Sequence, residues 1–117
     1  DRYHQLLGTT VIHEEEVASQ KVRVRFLRHR DQKIELLEAT APDSPIARFL
    51  KRRGEGIHHL AFRVADIHAE MKRLREQGFE ILQEKPIHGA YNKLIFFIHP
   101  RSMGGTLVEI CQPIDKH

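Results

Sequence analysis

One pattern that occurs twice constrains this chain more than any bulk property. Ile34-Glu35-Leu36-Leu37-Glu38 and Val108-Glu109-Ile110-Cys111-Gln112 are both apolar strand-like runs with a carboxylate at the second position. Gly8, after Gln5-Leu6-Leu7, is echoed by Gly78, after Arg75-Glu76-Gln77. A repeat of this size implies two copies of one supersecondary unit, with equivalent strands of each lining a shared cavity about a pseudo-twofold. The second copy reads as strand, helix and three strands. The first reads as the same unit without its beginning: His59 precedes Gly78 by a strand and a helix, and the residue equivalent to it would lie as far ahead of Gly8, before Asp1. The expected native protein is therefore longer than these 117 residues, and the chain as written is expected to bind metal weakly and turn over little.

Local signals place the elements. Val22, Val24 and Phe26 alternate with Lys21, Arg23 and Arg25, the period of a half-buried strand over Lys21 to Leu27. A polar turn over Arg28 to Gln32 leads to a second strand, Ile34 to Glu38. Ser44 suits a helix cap and Pro45 the first helical position, with Ile46, Phe49 and Leu50 on one face and Gly54 as the stop. Ile57 to Val64 reads as a strand. Asp66 then caps a helix with Ile67, Met71 and Leu74 on one stripe, ended by Gly78. Strands are expected at Glu80 to Leu82, Lys93 to His99 and Thr106 to Gln112, with Gly104-Gly105 turning between the last two. The fold class is α+β: tandem βαβββ modules forming a cupped mixed sheet around a metal site, the first module lacking its first strand and part of its first helix. The whole of 1–117 is one domain, with a truncated first module at 1–40, a linker helix at 41–56 and the second module at 57–113.

His59 and Glu109 stand mid-strand, where an apolar side chain is the norm, and a polar group there marks a lined pocket. By strand periodicity Glu35 shares a face with Leu37, Glu109 with Leu107 and Cys111, and His59 with Ala61 and Arg63. Imidazole and carboxylates together suit Co, Mn, Ni, Zn or Fe with positions left open for substrate. The bland alternative makes Glu35 and Glu109 salt-bridged edge residues and His59 a hydrogen-bonded core histidine. His58 reads as structural, on the face opposite His59 with Leu60, Phe62 and Val64. His99, before Pro100, reads as a turn hydrogen-bonding group, and Lys51-Arg52-Arg53 as the complement of a helix dipole.

The remaining composition narrows the function classes. A formal charge of +3 with dispersed Lys and Arg gives no nucleic-acid stripe and fits an anionic small molecule better. The lone Cys111 excludes an internal disulfide and reads as a buried thiol of a reducing compartment. No run approaches the roughly 20 apolar residues of a membrane span. No phosphate loop, nucleophile elbow or paired-cysteine motif occurs.

Several stretches together are recognisable: Ile34-Glu35-Leu36-Leu37-Glu38, Asp43-Ser44-Pro45-Ile46-Ala47, Gly54-Glu55-Gly56-Ile57-His58-His59, Gly89-Ala90, and Phe97-Ile98-His99-Pro100-Arg101-Ser102 followed by Gly104-Gly105 and Leu107-Val108-Glu109. On these the chain resembles the vicinal-oxygen-chelate superfamily of glyoxalase, bleomycin-resistance and extradiol dioxygenase folds, and within it the methylmalonyl-CoA epimerases. The resemblance implies a divalent metal (Co, Mn, Ni or Zn) held by Glu35, His59, Glu109 and a histidine from the first strand. It also implies a CoA thioester substrate interconverted between R and S forms, Glu109 doubling as an acid or base, and a homodimer in a bacterial cytoplasm or mitochondrial matrix. Some epimerases carry a second catalytic glutamate where this chain has Val24, which leaves a water or Glu35 for that role. The alternatives are a glyoxalase-I-like lyase acting on a glutathione hemithioacetal, an extradiol dioxygenase, which would need a second histidine in place of Glu35, and a binding-only member. For the last, the absence of Trp beside Tyr3, Tyr91 and six Phe offers little aromatic wall.

Overall fold

The structure, a computed structural model, describes residues 2–114. The chain divides between Gly56 and Ile57 into two compact units.

In the first unit α1 (Arg2–Leu7) is followed by β1 (Val11–Val17), β2 (Val22–His29) and β3 (Gln32–Ala39), an antiparallel sheet in the order β1-β2-β3. The sequence expectation contained β2 and β3 but not β1, whose His13-Glu14-Glu15-Glu16 centre looks too acidic for a strand. The pairing explains it. Glu14 lies opposite Arg25 and Glu16 opposite Arg23, and both pairs form ion pairs across the strands, the second at 3.7 Å. Arg23 also reaches Glu38 on β3 at 3.2 Å. Opposite charges on facing positions thus offset the poor strand propensity of glutamate. Val22, Val24 and Phe26 are buried on the other face. The β2–β3 turn is tighter than expected: His29 pairs with Gln32, leaving Arg30 and Asp31 at the bend, with Arg30 at φ +57°. Then α2 (Pro45–Arg53) packs on β3, started by Ser44, whose hydroxyl oxygen accepts the Ile46 N–H at 3.1 Å.

The second unit contains β4 (His59–Arg63), α3 (Ile67–Glu76), β5 (Ile87–Gly89), β6 (Lys93–Ile98) and β7 (Leu107–Pro113). Its sheet runs β4-β7-β6-β5, with β4 parallel to β7 and the other pairs antiparallel. Asp66 caps α3 by accepting the Ala69 N–H. Ile67, Met71 and Leu74 pack on Phe96, Ile98, Val108 and Ile110, so α3 covers one face of the sheet and leaves the other to different chemistry.

Two expectations are corrected here. Glu80 to Leu82 is not a strand but a single bridge, Ile81 to Ile98, because the Gln83 side chain accepts the Phe97 N–H at 2.7 Å, a bond that a continuing strand would need. The short β5 was not expected at all. The strand expected from Ile57 begins only at His59.

The repeat is visible inside each unit separately. Glu35 lies directly opposite Phe26 on its antiparallel neighbour, and Glu109 directly opposite Phe97. Each of the two helices α1 and α3 is closed by a glycine in the left-handed region, Gly8 at φ +62° and Gly78 at φ +90°, where a side chain would be strained. The α+β class with a mixed sheet is as the patterning implied. Among the described residues no helix is long and apolar enough to cross a membrane.

Candidate active site

The sheet face turned away from α3 carries the chemistry of the second unit. Strand alternation puts His59, Ala61 and Arg63 of β4, Leu107, Glu109 and Cys111 of β7, and Lys93, Ile95 and Phe97 of β6 on that face. Glu109 has Ala61 beside it on one strand and Phe97 on the other. The alanine methyl leaves space next to the carboxylate that a larger residue would fill.

Glu109 is 3% exposed, so its charge needs partners. The His59 Nε2 lies 3.5 Å from Oε1, and the Lys93 ammonium 3.4 Å from Oε2. The two carboxylate oxygens therefore have separate neighbours, an imidazole on one side and a cation on the other. The His59 ring is held edge-on against Phe97, with centroids 5.9 Å apart, and against His58 at 5.2 Å. His58 does not behave as strand alternation suggested. It precedes the first residue of β4, and its Nδ1 meets the Nδ1 of His59 at 3.0 Å.

The donor chemistry fits a divalent ion. The 3.5 Å between His59 Nε2 and Glu109 Oε1 is longer than the N–H···O range of about 2.7–3.2 Å. It is close to the roughly 3.4 Å kept by two ligands that each lie about 2.1 Å from one tetrahedral ion. Among the described residues no cluster of three or more His, Cys, Asp or Glu is gathered to hold a metal, so the structure brings together a two-donor pair. Glu35 lies on β3 of the first unit, opposite Phe26. Val24, where some relatives of the resemblance carry a glutamate, is buried opposite Leu37 and has no proton to exchange.

Sequence reasoning missed Lys93. Its signal was a lysine opening an otherwise apolar strand, two and four residues before Ile95 and Phe97 on the same face. His99 is as expected, its Nδ1 accepting the Arg101 N–H at 2.9 Å in the turn after β6. Cys111 is buried on β7 and is not in a disulfide.

This fold and face define a class. A profile of the Glyoxalase/Bleomycin resistance protein/Dioxygenase superfamily matches residues 1–97, and the chain belongs to that superfamily. Within it, the chain is 39% identical to the Bacillus subtilis protein YqjC over 98% of its own length and 83% of that protein. It is 38% identical to an ethylmalonyl-CoA/methylmalonyl-CoA epimerase of Cereibacter sphaeroides, covering 95% of this chain and 84% of the relative. The solved methylmalonyl-CoA epimerase of Mycobacterium tuberculosis superposes with a TM-score of 0.91 at 39% identity, over 98% of this chain and 78% of that one. The resemblance read from the motifs is borne out.

Proposed function

We propose that this protein epimerises methylmalonyl-CoA, moving the proton on the carbon between thioester and carboxylate from one face to the other. The observation that carries the reading is the buried Glu109, set between an imidazole and an ammonium in a chain 38% identical to an enzyme named for this reaction. A thioester α-proton is weakly acidic, so its removal needs a base within reach and stabilisation of the charge left behind.

In this reading Glu109 accepts the proton through one carboxylate oxygen as the C–H bond breaks, and the pair of electrons delocalises onto the thioester oxygen. His59, Glu109 and Glu35 would hold a divalent ion of the Co, Mn, Ni or Zn type, which supplies Lewis-acid stabilisation of that oxygen's developing charge. Lys93 keeps the second oxygen of Glu109 oriented and favours its ionised form. Return of a proton to the opposite face completes the inversion and requires a second carrier. Val24 supplies none, which leaves water or Glu35. The protein is read as a homodimer acting on a CoA thioester, without nucleic-acid or membrane partners, in a bacterial cytoplasm or mitochondrial matrix.

The test is solvent deuterium incorporation into methylmalonyl-CoA, followed by NMR in deuterated buffer with added Co(II). Exchange in the wild type that falls at least about 100-fold in Glu109→Gln supports the assignment, since a positioned acid or base typically contributes that much. Metal bound without exchange would transfer the assignment to a glyoxalase-like hemithioacetal substrate. No metal bound at all would favour a binding-only member.

A further inference from the structure

We infer that His58 is a positioning residue for His59: it accepts the His59 Nδ1–H and so commits the Nε2 lone pair to the face that carries Glu109. The two Nδ1 atoms are 3.0 Å apart, a hydrogen-bond distance that requires one ring to donate a proton and the other to accept it. That proton has two homes, with opposite consequences. If His58 donated it, His59 would carry its own proton on Nε2, aimed at Glu109 Oε1. The 3.5 Å separation there exceeds a hydrogen bond. If His59 donates it, Nε2 presents its lone pair toward a carboxylate oxygen at the spacing of two ligands on one ion.

The surroundings favour the second arrangement. Glu109 already has a cation at Oε2 in Lys93, 3.4 Å away, so it does not depend on an imidazole proton for charge compensation. Phe97 stacks edge-on to His59 and limits its ring rotation, while His58 meets Nδ1 nearly at right angles, with an interplanar angle of 88°. An aromatic ring fixes the plane and an acceptor fixes the tautomer. Two adjacent histidines at a strand start thus divide the work: the second presents a ring nitrogen to the site and the first decides which nitrogen carries the proton. Outer-shell partners of this kind typically change metal affinity by about 10–100-fold.

This inference rests on the reading of His59 as a metal ligand, and the experiment separates the two. The protein labelled with 15N-histidine is examined by long-range 15N–1H correlation, with the His59 signals assigned through His59→Gln, before and after addition of Co(II)'s diamagnetic counterpart Zn(II). Affinity for Zn(II) alone is measured by calorimetry in wild type, His58→Phe and His58→Asn. The expected result is a single His59 tautomer protonated at Nδ1, about 10–100-fold weaker Zn(II) binding in His58→Phe, and recovery to within about threefold in His58→Asn, whose side-chain oxygen can accept from the same position. A purely structural His58 would lower the melting temperature in both variants without changing the His59 tautomer, and that outcome overturns the proposal. So does wild-type His59 protonated at Nε2. If wild type binds no Zn(II), the metal reading fails, and the tautomer of His59 in the metal-free protein still decides this inference. If His58→Phe does not fold, the wild-type tautomer and the His58→Asn affinity carry the decision.

Discussion

A buried carboxylate is costly unless its charge is met, and Glu109 meets it with Lys93 at 3.4 Å. Lys93→Met should therefore destabilise the fold by about 1–3 kcal/mol, the cost of leaving a buried acceptor short of its cationic partner. Urea denaturation checks this. A wild-type midpoint in the variant would mean that the ammonium is not the group compensating Glu109. The same substitution should also reduce deuterium exchange, because the carboxylate loses a contact that orients it. Beside it, Ala61→Leu should introduce a bulky side chain next to Glu109 on the adjacent strand and lower exchange while leaving the α3 side of the sheet untouched. Of these residues, the sequence made His59 and Glu109 conspicuous because a polar group at a mid-strand apolar position breaks a local pattern. Lys93 interrupts the apolar run only at the first position of its strand, where charge is common, so the distance to Glu109 is what gives it a role.

At the scale of elements, helix boundaries are written locally and are testable locally. Ser44 is fully buried and its hydroxyl oxygen accepts the Ile46 N–H, so Ser44→Ala should cost about 1–2 kcal/mol, read as a shift in thermal midpoint. The Lys21–Asp43 ion pair joins the start of β2 to the segment before α2. Hydrogen bonding from Lys21 holds the Asp43 carboxyl below its ordinary range. A carboxyl whose folded pKa is depressed contributes stability that is present above its unfolded pKa and is lost as pH falls through the folded value. Asp43→Asn should accordingly flatten the acid limb of stability against pH, by a small amount because both side chains are exposed, and the difference from wild type should vanish in high salt. Strands are less local. β1 was invisible because its glutamates become acceptable only opposite Arg23 and Arg25, and the strand expected at Glu80 to Leu82 is cut short by a side chain, Gln83, that takes a backbone N–H.

For the whole molecule, superfamily membership and the relatives named as epimerases make metal dependence the property to test. Dialysis against a chelator should abolish deuterium exchange into methylmalonyl-CoA, and Co(II) or a similar divalent ion should restore it. Activity that survives the chelator would move the stabilising role from a metal to protein groups such as Lys93. What the amino-acid order determined by itself was whatever depends on near neighbours: the caps at Ser44 and Asp66, the helix-ending Gly8 and Gly78, the period-two faces, and a repeat that puts Glu35 and Glu109 in equivalent places. Those features follow from backbone sterics and from hydrogen bonds spanning a few residues, which any reader of the chain can trace. What only the tertiary structure decided was which distant groups meet, Glu109 with Lys93 and Glu14 with Arg25, and how the rings of the neighbours His58 and His59 are turned toward each other. Pairings of that kind depend on strand register and ring orientation, which are set by the packing of the whole sheet and leave no mark on the local sequence.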